Sequence, residues 1–445
     1  MKLRDIAIKI NNLLARNVFL SKILFKYIPS NNVLFGKRYK QIKESSLSPN
    51  YDTKKLIDLV NHAKDTVPYY MNQEWPVIKD INDFEKHINF INRDHILNNL
   101  SEFKSENFEV SEYEKMTTGG TSGRPAVFFV PKNRYIKEYA FFHGIWQKLG
   151  YRNQLKGVTR NERLPEKQDY KIKIITKEIV FDGFRNDPEY YKKIYSHIKK
   201  FNIEYIQGYP SSVYNFLLYI HNNKLSTSFL KGIFLSSEVF LDHQRNLIVN
   251  TLKIPVISVY GHSEKLILAV DFNGDDKYEV IDNYGYLELI DEEGNVIKEL
   301  DKVGEIVGTT IDNYGMPLIR FRTGDYSSYA IYNKSGRRVL NGIQGRWEEM
   351  KIYITENSFV TPTALNLHSE LYCSIDGLQY FQEQIGELEV KIIPNKDYSS
   401  AVEEKLLKHY TERVPNTKIK ISKVERLKKR ENGKFLILES KVSLL

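Results

Sequence analysis

The chain has 445 residues, 41% hydrophobic and 27% charged, a globular balance that excludes a disordered tail protein and allows roughly two to four domains. Its 65 lysines and arginines exceed 56 acids by nine, but short basic clusters such as Lys199-Lys200 and Lys428-Lys429-Arg430 lie near Glu204, Glu425 and Glu431. That spread reads as solvated faces with no nucleic-acid surface, and the single cysteine, Cys373, excludes an intramolecular disulfide framework and a cysteine-clustered zinc site.

Residues 1–30 carry Ile6, Ile10, Leu13, Leu14, Val18, Phe19, Ile23 and Leu24 at helical spacing among basic residues. They predict an amphipathic helix that packs on its own domain or lies peripherally on the inner face of a membrane. No apolar run reaches the roughly 18 residues of a membrane span, and no signal-cleavage pattern is present, so the expected location is cytoplasmic. A second helix is predicted over Lys54–Thr66, ending before Val67-Pro68-Tyr69-Tyr70, where proline disfavours continuation.

From Ile172 onward short β-rich runs alternate with helical ones. Ile203–Ile206, Gly232–Leu235 and Val256–Tyr260 read as strands, and Ser211–Asn222 and Asp242–Leu252 as helices between them. Such alternation predicts βαβ units and a parallel sheet. Residues 278–332 change to antiparallel strands with Gly, Asp and Asn turns, including Tyr286–Ile290 and Gly304–Thr309. The last hundred residues alternate again, with strands at Leu388–Ile393 and Lys418–Ile421 around a helix over Ala401–Arg413. The expected division is a large N-terminal domain over 1–345 and a small α+β domain over 346–445.

Met116-Thr117-Thr118-Gly119-Gly120-Thr121-Ser122-Gly123-Arg124-Pro125 combines three glycines with four hydroxyls. Glycine lets the backbone turn its N–H groups toward an anion, so the stretch suits a phosphate cradle or, alternatively, a flexible connector. It lacks the Gly-Lys-Ser/Thr ending of a Walker loop. Further along stand Ser236-Ser237-Glu238, Tyr260-Gly261-His262-Ser263-Glu264, Arg320-Phe321-Arg322-Thr323-Gly324-Asp325 and Gly345-Arg346-Trp347-Glu348-Glu349. Taken singly, Tyr260 also fits a core aromatic, Asp325 a turn former and Lys434 a hairpin lysine.

In this order the segments resemble the adenylate-forming superfamily, which includes acyl-CoA synthetases, luciferases and peptide-synthetase adenylation domains. The chain looks most like phenylacetate–CoA ligase and the CapK-type proteins of capsule polysaccharide biosynthesis, over about residues 40 to 440. His62-Ala63-Lys64, Val67-Pro68-Tyr69-Tyr70 and Gly150-Tyr151 add to the likeness. The resemblance implies an α/β fold: a large domain with parallel sheets and a β-rich subdomain, and a small mobile C-terminal domain. It implies that Thr117, Thr118, Gly119, Gly120, Thr121, Ser122 and Gly123 close over the β- and γ-phosphates of ATP. Ser236, Ser237 and Glu238 would border the adenine, with Tyr260 and Gly261 against its face. Ser263 would bond the α-phosphate, Glu264 would hold Mg2+, and Asp325 would accept the ribose hydroxyls beside Arg346. Lys434, in Arg430-Glu431-Asn432-Gly433-Lys434, would reach the carboxylate and α-phosphate.

The implied reaction joins a carboxylic acid to AMP and passes the acyl group to coenzyme A or to an amine such as an amino sugar. The acyl pocket is expected around His143, Tyr209 and Gly261. Two alternatives stand beside it: an aryl-acid CoA ligase, and a catalytically silent nucleotide-binding relative. Where related ligases often carry a cysteine-containing turn this chain has Asn333-Lys334-Ser335-Gly336-Arg337, and Glu348-Glu349 replaces the usual hinge aspartate.

Overall fold

The computed structural model describes residues 31–48, 53–117, 126–159, 162–185, 187–330, 337–344, 351–356, 358–360, 362, 365, 367, 371, 374–428 and 437–442. The expected helix over 1–30, and with it the membrane contact, lies outside the described residues. No described helix is long and apolar enough to cross a membrane. Two compact units are formed, one from Met1–Ser48, Tyr135–Val259 and Val270–Tyr278, the other from Pro49–Arg134, Tyr260–Ala269 and Glu279–Leu445.

The first unit is built on a mainly parallel sheet. Lys156–Thr159 pairs in parallel with Glu178–Phe181 on one side and Tyr205–Gly208 on the other. Gly232–Ser236 and then Val256–Gly261 extend the sheet beyond Tyr205–Gly208, again in parallel. Helices Pro188–Phe201 and Pro210–Asn222 make the crossovers. The first starts where Asp187 accepts the Tyr190 N–H ahead of Pro188 and stops where Asn202 turns left-handed. Between these signals Tyr190, Tyr191, Ile194, Ile198 and Phe201 recur at helical spacing and enter the core, where they meet Val213, Phe216, Leu217 and Ile220 of the second helix.

Two elements depart from expectation. The stretch expected as one helix over Asp242–Leu252 is an α-turn at Asp242–Arg245 followed by a π-helical segment, Asn246–Thr251. Its wider winding shows in Leu252 N–H, which donates five residues back to Leu247 O at 2.9 Å, and in the Thr251 hydroxyl, which bonds Asn246 O. The strand Lys156–Thr159 precedes Ile172, from which the alternation was expected to begin. Lys156 is buried, its Nζ 2.7 Å from Glu178 Oε1 on the neighbouring strand and 5.5 Å from the Trp146 ring centre.

The second unit is β-rich. Gly285–Ile290, Val303–Thr310 and Phe321–Ser328 form an antiparallel sheet in that order. Tyr113–Thr117 and Val127–Pro131 form a hairpin with Thr117 opposite Val127. Toward the C-terminus a four-stranded sheet runs in the order Lys418–Lys423, Glu387–Pro394, Ile375–Gln382, Leu438–Ser440, with helix Ser400–Arg413 beside it. The antiparallel sheet is clamped by Arg320. Its guanidinium is buried, forks onto Glu288 at 2.8 and 3.2 Å, donates to the carbonyls of Glu85 and Ile88, and lies 4.0 Å from the Phe90 ring centre.

Candidate active site

Strand Val256–Gly261 carries Tyr260 near its end, and a turn closed by Lys265 N–H on His262 O follows it at once. The turn is held from outside by Arg134, which donates to Lys265 O and pairs with Asp312. Asp325 approaches from strand Phe321–Ser328. There Gly324 adopts φ +75°, which glycine tolerates without a Cβ clash, and its N–H donates to Glu305 Oε1 at 2.9 Å. Glu305 also receives Arg322 Nε at 2.8 Å. The Thr323 hydroxyl donates to Ile306 O at 2.7 Å and accepts the Asp325 N–H at 3.1 Å. These bonds hold a bulge that aims the Asp325 side chain.

The result is a cluster from two motifs 65 residues apart. The Tyr260 hydroxyl donates to Asp325 Oδ2 at 2.9 Å. The same hydroxyl lies 2.8 Å from His262 Nε2, and His262 Nε2 is 3.6 Å from Asp325 Oδ2. The Tyr260 and His262 rings meet edge to face, with centres 4.8 Å apart. Asp325 and His262 side chains are each only 12% exposed, which makes this a desolvated acceptor site.

Ser263 is exposed and Glu264 half-buried in the adjoining turn, and Glu264 meets no polar partner among the described residues. A lone, accessible carboxylate fits Mg2+, which keeps several waters and takes its remaining ligands from substrate phosphates. Among the described residues no group of three or more acids, histidines or cysteines forms a metal cage.

In the first unit, Ser236 ends the strand Gly232–Ser236 and Ser237 follows at φ +72°. Glu238 accepts the Ser211 N–H at 3.1 Å, satisfying one of the unpaired donors that open helix Pro210–Asn222. Thr117 closes the first strand of the hairpin, while Thr118, Gly119, Gly120, Thr121, Ser122 and Gly123 lie outside the described residues, as do Arg346, Lys434 and both hinge candidates, Glu348 and Glu349. His143, expected near the acyl pocket, is buried among aromatic rings in the first unit, with the Tyr39 hydroxyl 2.7 Å from its Nδ1. Burial and the nearby charges of Lys156 and Lys43 push its pKa down to about 3, so it stays neutral near pH 7.

Sequence reasoning quoted His262, Thr323 and Glu305 inside motifs or strands without giving them a role. The signal was thin: His262 sits between two expected site residues, and while Tyr260 is two residues back in the same motif, Asp325 comes from another strand.

Residues 352–441 match the CapK C-terminal domain family. The chain is 26% identical over 218 residues to Protein CapK of Staphylococcus aureus, covering 47% of each protein. It is 26% identical over 170 residues to phenylacetate-coenzyme A ligase of Pseudomonas putida, covering 37% of this chain and 38% of that protein. It thus spans about half or less of the length of the curated relatives it matches. Two solved structures of 2-hydroxyisobutyryl-CoA ligase share the fold. One, in complex with 2-HIB-AMP and CoA in the thioesterification state, superposes with a TM-score of 0.56 at 16% identity, over 91% of this chain and 90% of the other. The other, in the postadenylation state with R3-HIB-AMP, gives a TM-score of 0.53 at 14% identity, over 87% and 88%. The chain shares the fold of 2-hydroxyisobutyryl-CoA ligase, and its residues 352–441 match the CapK C-terminal domain family.

Proposed function

We propose that this chain is an ATP-dependent, AMP-forming ligase that activates a carboxylic acid as an acyl-adenylate and passes the acyl group to a thiol or an amine. The observation that carries the proposal is the Tyr260–Asp325 hydrogen bond, which joins two of the motifs in one desolvated site on this fold. In the proposed reaction Asp325 accepts the ribose hydroxyls and Tyr260 lies with Gly261 against the adenine, bordered by Ser236, Ser237 and Glu238. Ser263 bonds the α-phosphate, and Thr117 with the loop that follows it cradles the departing pyrophosphate. Glu264 would hold Mg2+, which would supply positive charge against the phosphates. Lys434 supplies positive charge where negative charge concentrates during attack, and Arg346 lies beside Asp325 at the nucleotide. Little covalent work falls to the protein; rate comes from aligning two anions and lowering their repulsion.

Residues 346–445 act in this proposal as the small domain that turns between the two half-reactions. Two acceptors are weighed. An amine acceptor in surface polysaccharide assembly rests on the sequence resemblance to CapK-type proteins, while the name of the Pseudomonas relative supports coenzyme A. The test supplies ATP, Mg2+ and a panel of aryl, fatty, hydroxy and amino acids, with coenzyme A in one arm and a hexosamine in the other. The expected result is acid-dependent AMP and pyrophosphate with an acylated product in one arm. Formation of ADP and phosphate, or no acid-dependent AMP in either arm, would overturn it.

A further inference from the structure

The hydrogen-bond direction within the cluster has a consequence for His262. A carboxylate oxygen only accepts, so the Tyr260 hydroxyl spends its proton on Asp325 Oδ2. What Tyr260 offers His262 is therefore an oxygen lone pair, and Nε2, 2.8 Å away, must carry the imidazole proton. That leaves Nδ1 as a bare acceptor. Nδ1 is fully buried and meets no hydrogen-bond partner among the described residues. A buried acceptor without a donor costs free energy that a well-packed core does not ordinarily leave unrecovered. Every other polar atom followed through this cluster, from the Asp325 N–H to the Thr323 hydroxyl and the Gly324 N–H, is engaged.

We infer that His262 is a specificity-determining residue whose Nδ1 accepts a hydrogen bond from a sugar hydroxyl of the bound nucleotide, while its Nε2–H sets the direction of the Tyr260–Asp325 bond. This rests on the nucleotide reading of the site. His262 then takes one of the two ribose hydroxyls otherwise given to Asp325, and Asp325 keeps its neighbour.

The experiment measures the affinities of ATP, 2′-deoxy-ATP and 3′-deoxy-ATP for the full chain and for two variants. His262→Gln retains an N–H near the Nε2 position and so keeps the Tyr260 contact, but presents nothing at Nδ1. His262→Asn presents a carbonyl oxygen near Nδ1. For the unaltered protein, loss of one particular hydroxyl should weaken binding about tenfold, the factor to which one ordinary hydrogen bond corresponds. His262→Gln should bind ATP about tenfold more weakly and lose discrimination against that same deoxynucleotide, with an unchanged melting temperature. His262→Asn should recover part of the discrimination. Full discrimination in a folded His262→Gln variant would overturn the inference and leave the nucleotide reading intact. If the unaltered protein binds none of the three, the nucleotide reading itself fails and the inference with it. A loss of affinity that is equal for all three nucleotides would assign His262 a packing role only and also overturn the inference.

Discussion

Replacing Asp325 by alanine is expected to weaken ATP binding about ten- to a hundredfold, the range for losing a hydrogen bond to a charged group. The carboxylate is nearly buried, takes the Tyr260 hydroxyl on Oδ2 at 2.9 Å and stands on a bulge held by Glu305 and Thr323. An alanine removes the acceptor for the proposed ribose hydroxyls and for the Tyr260 hydroxyl. Asp325→Asn separates these two effects. Its carbonyl can still take the Tyr260 hydroxyl, so the local structure should persist while the charged acceptor is lost. Titration calorimetry should therefore rank ATP affinity as Asp325, then Asn, then Ala. Equal ATP affinity in all three would remove Asp325 from the nucleotide site.

Arg320→Ala is expected to cost about 3–5 kcal/mol of stability, the range for removing one partner of a buried ion pair. Its guanidinium satisfies both oxygens of Glu288 and the carbonyls of Glu85 and Ile88, so alanine would leave a buried carboxylate uncompensated. Burial alone already pushes the Glu288 pKa upward, and Arg320 opposes that shift. The pair Arg320→Met with Glu288→Leu removes both charges together and should recover most of the loss, since neither ion then remains to be desolvated. Urea unfolding of the two single variants and the double variant measures the coupling. Additive losses would show that Arg320 acts through packing against Phe90 and not through the ion pair. Because Arg320 opens the segment that ends at Asp325, the single variant should also loosen the site, though the charge it removes never faces it.

The parallel sheet of the first unit was legible wherever strands were apolar and locally bounded, as at Gly232–Ser236 and Val256–Gly261. It was not legible at Lys156–Thr159, where the pattern is broken by a lysine that only Glu178, 22 residues on, makes tolerable in the core. The π-helical winding over Asn246–Thr251 was equally hidden, because its apolar spacing is close to that of an α-helix. In the site, the motifs drew attention to Tyr260 and Asp325, whose side chains meet, yet their contact depends on a turn and a bulge from separate strands. His262 illustrates the same limit. Its significance comes from one bare ring nitrogen, and no local spacing encodes that.

The central claim is acid activation through AMP, and carboxylate-dependent exchange of labelled pyrophosphate into ATP, run without any acceptor, tests it most directly. Exchange should appear with one chemical class of acid and vanish when that acid is omitted. A protein that binds ATP yet catalyses no exchange with any aryl, fatty, hydroxy or amino acid would contradict the claim and leave a nucleotide-binding fold without the chemistry.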